Sequence, residues 1–69
     1  MQNGFTVEIE REDDGRWIAE VVGLPGVVAY GATRDDAFRN VEALALRVLA
    51  DRIEHGETVP EVAHIFVAA

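Results

Sequence analysis

The 69-residue sequence predicts an α+β fold in the order β-β-β-α-β: a three-stranded antiparallel meander, one helix, and a fourth strand returning parallel to the first. Three observations carry this. Two runs of alternating apolar and polar residues flank Asp14-Gly15, and an Asp-Gly pair between such runs is a strong hairpin signal. Gly23-Leu24-Pro25-Gly26 then reverses the chain, because Pro sets φ near −65° while the glycines reach angles other residues avoid. After Thr33 the apolar spacing changes from two residues to three and four.

In the first strand, residues 4–11, Phe5, Val7 and Ile9 alternate with Thr6, Glu8 and Glu10, the pattern of a half-buried strand. The second, Arg16 to Val22, sets Trp17, Ala19 and Val21 on one face and Ile18, Glu20 and Val22 on the other. The third, Val27 to Tyr30, is apolar on both faces and ends at Gly31. The helix is expected from Arg34 to His55. Thr33 stands three residues before Asp36, close to a capping box, and Asp35 and Asp36 put negative charge on the positive end of the helix. Ala37, Phe38, Val41, Leu44, Ala45, Val48 and Leu49 form one stripe, whereas Leu46 and Ile53 fall off it and point to a second contact surface. Gly56 occupies a C-cap position and Pro60 prevents a restart. The apolar run from Val62 to Val67 is too short for a helix and reads as the fourth strand, made parallel to the first by the handedness of crossovers.

Residues 1–69 make one domain, and a chain of this size buries only about 60% of the surface its unfolded form exposes. Hydrophobic residues nevertheless form 49% of it. One helix covers one sheet face, so some of Ile18, Val22, Val28, Tyr30 and Phe66, depending on register, are expected to supply an exposed patch, and such patches usually mark interfaces. No cysteine is present, which excludes disulfides and thiolate metal sites and fits a cytoplasmic setting. No apolar run approaches the roughly 18 residues of a membrane span, and no secretory signal is visible. Thirteen acidic residues against six arginines and no lysine give a formal net charge of −7. That balance repels nucleic-acid phosphates and steers a basic partner inward.

Residues that carry catalysis are sparse. Serine, cysteine and lysine are absent, which removes the common acyl-transfer nucleophiles and any Schiff-base amine. His55 reads as a helix-end cation and His64 as a strand side chain, and their spacing fits no standard zinc site. Glu8, Glu10 and Glu20 read as a solvated polar face, with divalent-cation binding as the competing possibility. Gly23-Leu24-Pro25-Gly26 lacks the lysine and the following helix of a phosphate loop. No enzyme activity and no cofactor are expected.

The ordered set Glu20-Val21-Val22-Gly23-Leu24-Pro25-Gly26-Val27, Gly31-Ala32-Thr33, Asp35-Asp36-Ala37, Asn40-Val41, Ala43-Leu44, Gly56-Glu57 and Pro60 resembles the HicB-like antitoxin family, from about Phe5 to Pro60. Val27 stands where members often carry cysteine. The resemblance implies a truncated RNase H-like fold and an antitoxin of a type II toxin-antitoxin system, which masks a small, basic, histidine-dependent mRNA-cleaving toxin of the HicA type. Full antitoxins add a C-terminal DNA-binding domain. A chain ending at Ala69 is similar to the short, stand-alone members, for which operator binding is not expected. A metal-dependent nuclease, also suggested by an RNase H-like fold, would need carboxylates such as Glu8, Glu10, Glu20 and Glu42 around metal ions, and strand four offers none.

The expected function is therefore a binding module. Glu12, Asp13 and Asp14, with Trp17, Leu24 and Pro25 as apolar anchors, are the candidate partner-binding residues. Val28, Tyr30, Leu46, Ile53 and Phe66 are the candidate interface of a homo-oligomer, a dimer or tetramer. The alternative is a stand-alone homo-oligomeric scaffold or small-ligand protein without a toxin partner.

Overall fold

The computed structural model describes residues 4–63 and 65–69. Strands β1 (Val7–Arg11), β2 (Trp17–Val21) and β3 (Val28–Gly31) form one antiparallel sheet in the order β1-β2-β3. Helix α1 (Arg34–Glu54) packs on one face of that sheet. The α+β class and the meander thus match the expectation.

Each element starts and stops where its local chemistry directs. The β1–β2 hairpin closes with Glu12 N–H donating to the Arg16 carbonyl at 2.7 Å and Gly15 N–H donating to the Glu12 carbonyl at 3.0 Å, so Asp14-Gly15 makes the turn. Register then pairs Val7 with Val21 and Ile9 with Ala19, which keeps all four on the helix side. At the second reversal Leu24 N–H donates to the Val21 carbonyl and Val27 N–H to the Leu24 carbonyl. The Thr33 hydroxyl caps α1 by accepting from Asp36 N–H at 3.0 Å. At the other end Gly56, at φ 86°, donates to Ile53 and Glu57 donates to Arg52, a Schellman closure that needs the left-handed angle glycine tolerates.

The core is built from small residues. Ala19, Ala37 and Val41 are fully buried, with Val21, Leu24, Val27, Ala45, Leu49 and Val59 around them. On the helix the buried positions are Ala37, Val41, Ala45 and Leu49, each four residues apart. The stripe is narrower than its periodicity suggests: Leu44 and Val48 pack at its edge, and Phe38 is 41% exposed. With alanine at the contacts the helix lies close to the sheet, and at Gly31 the approach is closest. A Cβ there would meet the Ala37 amide nitrogen and lie 2.8 Å from the Asp36 carbonyl carbon. Nearby, the Asn40 side-chain amide donates to the Tyr30 carbonyl at 2.8 Å and ties α1 to β3.

The tail departs from expectation. Val59 is buried, and Pro60–Val62 forms a 3₁₀ turn that ends with Ala63 N–H donating to Pro60 and Ile65 N–H to Val62. No fourth strand forms among the described residues, and His64 lies outside them. Proline at the first position of the turn supplies a helical φ and no ladder donor. Past residue 64 only Ile65, Phe66 and Val67 remain as large apolar residues, and Phe66 is 82% exposed. Among the described residues β1 is therefore an edge strand.

Gly31→Ala is expected to destabilise the protein by about 2 kcal/mol through overpacking against the backbone of α1. Gly4→Ala, with open space around its Cβ position, should leave the urea midpoint unchanged.

Candidate functional site

Covering one sheet face with a helix leaves the other to carry whatever the alternation places there. Cross-strand register sets Glu8 opposite Glu20, Glu10 opposite Ile18, Ile18 opposite Tyr30, and Glu20 opposite Val28. All of these lie on the face away from α1, because their chain neighbours Val7, Ile9, Ala19 and Ala29 pack toward the core. Glu8, Glu10, Ile18 and Glu20 enclose a shallow depression of about 110 Å³. Val22 and Tyr30, both exposed, extend its apolar part.

The electrostatics of this face are one-sided. Between residues 7 and 21 six carboxylates stand against two arginines, Arg11 and Arg16, while the helix carries five acidic residues against four arginines. Neither sheet arginine reaches the depression. Arg16 bonds Asp14 at 2.8 Å, with its guanidinium 4.6 Å from the Tyr30 ring, and Arg11 lies 6.0 Å from the Trp17 ring. The carboxylates of Glu8, Glu10 and Glu20 make no hydrogen bond or ion pair with any described residue. Like charges directly opposite on neighbouring strands destabilise a sheet, so Glu8 and Glu20 oppose the fold they belong to.

The acidic hairpin is built differently. Asp13 and Asp14 are exposed and Glu12 is half-buried. Asp14 accepts from the Arg16 backbone N–H at 3.0 Å and from its guanidinium at 2.8 Å, and these two bonds, the backbone one foremost, hold its carboxyl below the usual carboxylate range. Asp14 is thus committed to the turn, while Glu12 and Asp13 keep free carboxylates among the described residues.

The apolar anchors expected in the second turn do not share one surface. Leu24 is 2% exposed and belongs to the core, so it offers nothing to a partner; the turn folds its side chain inward while Pro25 stays outside. Trp17 packs against the core with part of its ring exposed. The expected oligomer residues divide three ways: Val28 and Tyr30 on the open sheet face, Leu46 and Ile53 on an exposed flank of α1, and Phe66 in the tail.

Glu42 lies on the helix side of the sheet and lines a second, larger hollow, so it is not brought to Glu8, Glu10 and Glu20. The four carboxylates of a two-metal arrangement are not assembled, and no group of three His, Cys, Asp or Glu side chains among the described residues is placed to hold a metal ion. No described helix is long and apolar enough to cross a membrane.

Alternation in residues 4–11 and 16–22 placed Glu8, Glu10 and Glu20 on this face. From the sequence Glu20 is expected across from Glu8 and Glu10 on a solvated polar face, and the register fixes Glu8 and Glu20 as the pair in direct opposition. A UPF0150 protein of Thermoplasma acidophilum is similar to this chain, 29% identical over 56 residues that cover 81% of each. No family model matches the chain, and no solved structure does.

Leu24→Ala should cost about 3 kcal/mol in urea denaturation, a large share of the stability of so small a domain, whereas Pro25→Ala should cost well under half of that. The lowered Asp14 pKa stabilises the hairpin at neutral pH, and this contribution is lost as pH falls through the folded-state value, below 3.8. In an NMR titration Arg16→Gln should raise the Asp14 midpoint part of the way, because the backbone bond survives.

Proposed function

We propose that this chain is an antitoxin-like binding module that masks a small, basic, RNA-cleaving protein with the open face of its sheet. The observation that carries this reading is the set of three unpaired carboxylates, Glu8, Glu10 and Glu20, around half-buried Ile18, with Glu8 and Glu20 in direct opposition. A basic partner fits such a surface on three counts. Its arginines or lysines neutralise the opposed pair, its apolar side chains cover Ile18, Val22 and Tyr30, and its approach is steered by the net charge of −7. The same partner carries the charge that RNA cleavage requires of its own RNA-binding surface, so masking and electrostatic complementarity coincide. Glu12 and Asp13 at the hairpin tip extend the acidic surface at one end.

The order of motifs shared with HicB-like antitoxins and the similarity to a UPF0150 protein over four-fifths of the chain support the same reading. In the family the resemblance points to, the sheet of a truncated RNase H-like fold has a fourth strand beside the first, and here that edge of β1 lies open among the described residues. A second reading, association of copies without a toxin, draws on Leu46 and Ile53, which are exposed on one flank of α1.

The test is co-expression with a small basic protein encoded beside this chain in its genome, followed by assay of RNA cleavage. Binding that weakens steeply with salt and suppresses cleavage is the expected result. Glu20→Gln should weaken the complex about fivefold while raising the stability of the free protein by a few tenths of a kcal/mol. An unbound basic protein, together with sedimentation of this chain alone as an oligomer at micromolar concentration, would replace the antitoxin reading with the second.

A further inference from the structure

We infer that the outer flank of α1 is a dimer seam, on which a second copy of this chain packs its own α1 antiparallel. The inference goes beyond the reading above and does not depend on it, because the open face of the sheet stays free in such a dimer.

Three observations meet on this flank. First, Ala43, Leu46, Ala50 and Ile53 follow one another at intervals of three, four and three residues, the spacing that holds one stripe against a facing helix. This stripe is separate from the one buried on the sheet, which is Ala37, Val41, Ala45 and Leu49. Second, the stripe is open. Leu46 is 61% and Ile53 51% exposed, Ala50 is exposed and Ala43 half-buried. The tail does not cover it: Val62 and Ile65 line the groove beside Leu46 and leave that exposure in place. Third, small and large residues alternate along it.

That alternation is self-complementary about a two-fold axis. With the helices antiparallel, Leu46 of each copy lies on Ala50 of the other and Ile53 lies on Ala43, so every large side chain meets a position with nothing beyond Cβ. In a parallel pair Leu46 would meet Leu46 and alanine would meet alanine, and the layers would be unequal in depth. Ion pairs fit the same register. Arg39 comes level with Glu57 of the other copy at both ends of the seam, and the two Arg47 side chains meet near the axis with Glu54 of the opposite copy beside each. The side chains of Arg47, Glu54 and Glu57 have no ion-pair partner among the described residues.

Charge also selects the occupant. α1 carries five acidic residues against four arginines, so a second copy is not repelled there as it is at residues 7–21, where six carboxylates stand against two arginines.

The test is sedimentation equilibrium of the full chain between about 10 and 500 µM, a range suited to a seam at the small end of interface sizes. A reversible dimer is expected. Ala50→Glu, which keeps a strong helix former at an exposed position, should weaken it about tenfold by setting a carboxylate under Leu46 of the other copy. Arg39→Glu and Glu57→Arg should each weaken the dimer about threefold, and the double variant, which exchanges the two signs, should restore it. In amide NMR spectra, dilution should shift Ala43, Leu46, Ala50 and Ile53 and leave Glu8 and Glu20 in place. A monomer throughout the range overturns the inference. So does a dimer that Ala50→Glu leaves intact, or one whose dilution shifts fall on β1 or on the open sheet face. None of these outcomes decides the binding of a basic protein, which the co-expression assay reads separately.

Discussion

Close seating of one helix on one face of a three-stranded sheet is the constraint on which the rest of this structure depends. It is made possible by residues with almost nothing beyond Cβ: Ala19 on the central strand, Ala37 and Ala45 on the helix, and Gly31 where β3 meets the first turn of α1. Larger side chains at these points would lift the helix and leave Leu24 and Val41, the largest fully buried side chains, without full contact. The Asn40 bond to the Tyr30 carbonyl and the Thr33 cap act at the same corner, so the transition from β3 to α1 is held by packing, a side-chain bond and a cap within about ten residues of chain.

A single helix cannot cover both faces, and the uncovered face accounts for the distribution of charge. Its strands must be soluble on that side, and glutamates at Glu8, Glu10 and Glu20 achieve this while leaving Ile18, Val22 and Tyr30 in place. Solubility alone would be served as well by a mixture of signs, which would also let Glu8 and Glu20 pair with cations across the strands instead of facing each other. The repulsion between Glu8 and Glu20 is a cost to a small domain, and on the function proposed above a basic partner would supply the missing counter-charges.

Legibility in the sequence followed the range of the interactions that decide each feature. The two hairpin turns, the Thr33 cap and the Gly56 stop are decided within four or five residues, and all were readable from side-chain chemistry. The helix stripe was readable in period but not in width, since whether Phe38 is core or margin depends on how closely α1 approaches the sheet. Leu24 looked like an exposed turn residue because its neighbours are Gly23, Pro25 and Gly26, yet the reversal folds it into the core. The tail is decided at longest range. Val62 to Val67 has the composition of a strand, but a strand exists only with a partner edge, and Pro60 opens a 3₁₀ turn that takes Val62 out of the run.

Those long-range dependencies converge on one edge. Among the described residues no strand pairs with the outer edge of β1, which has on one flank an apolar groove lined in part by Val62 and Ile65 of the tail and on the other the unpaired carboxylates of Glu8 and Glu10. Proteins ordinarily protect such edges with a lysine, a proline or a bulge. Residues 7–11 contain no lysine or proline, their pairing to β2 runs without interruption, and the side chains that would repel a neighbour are negative at Glu8 and Glu10. Negative charge repels another copy of an acidic chain and attracts a basic one. The charge at this edge therefore disfavours association of one acidic copy with another.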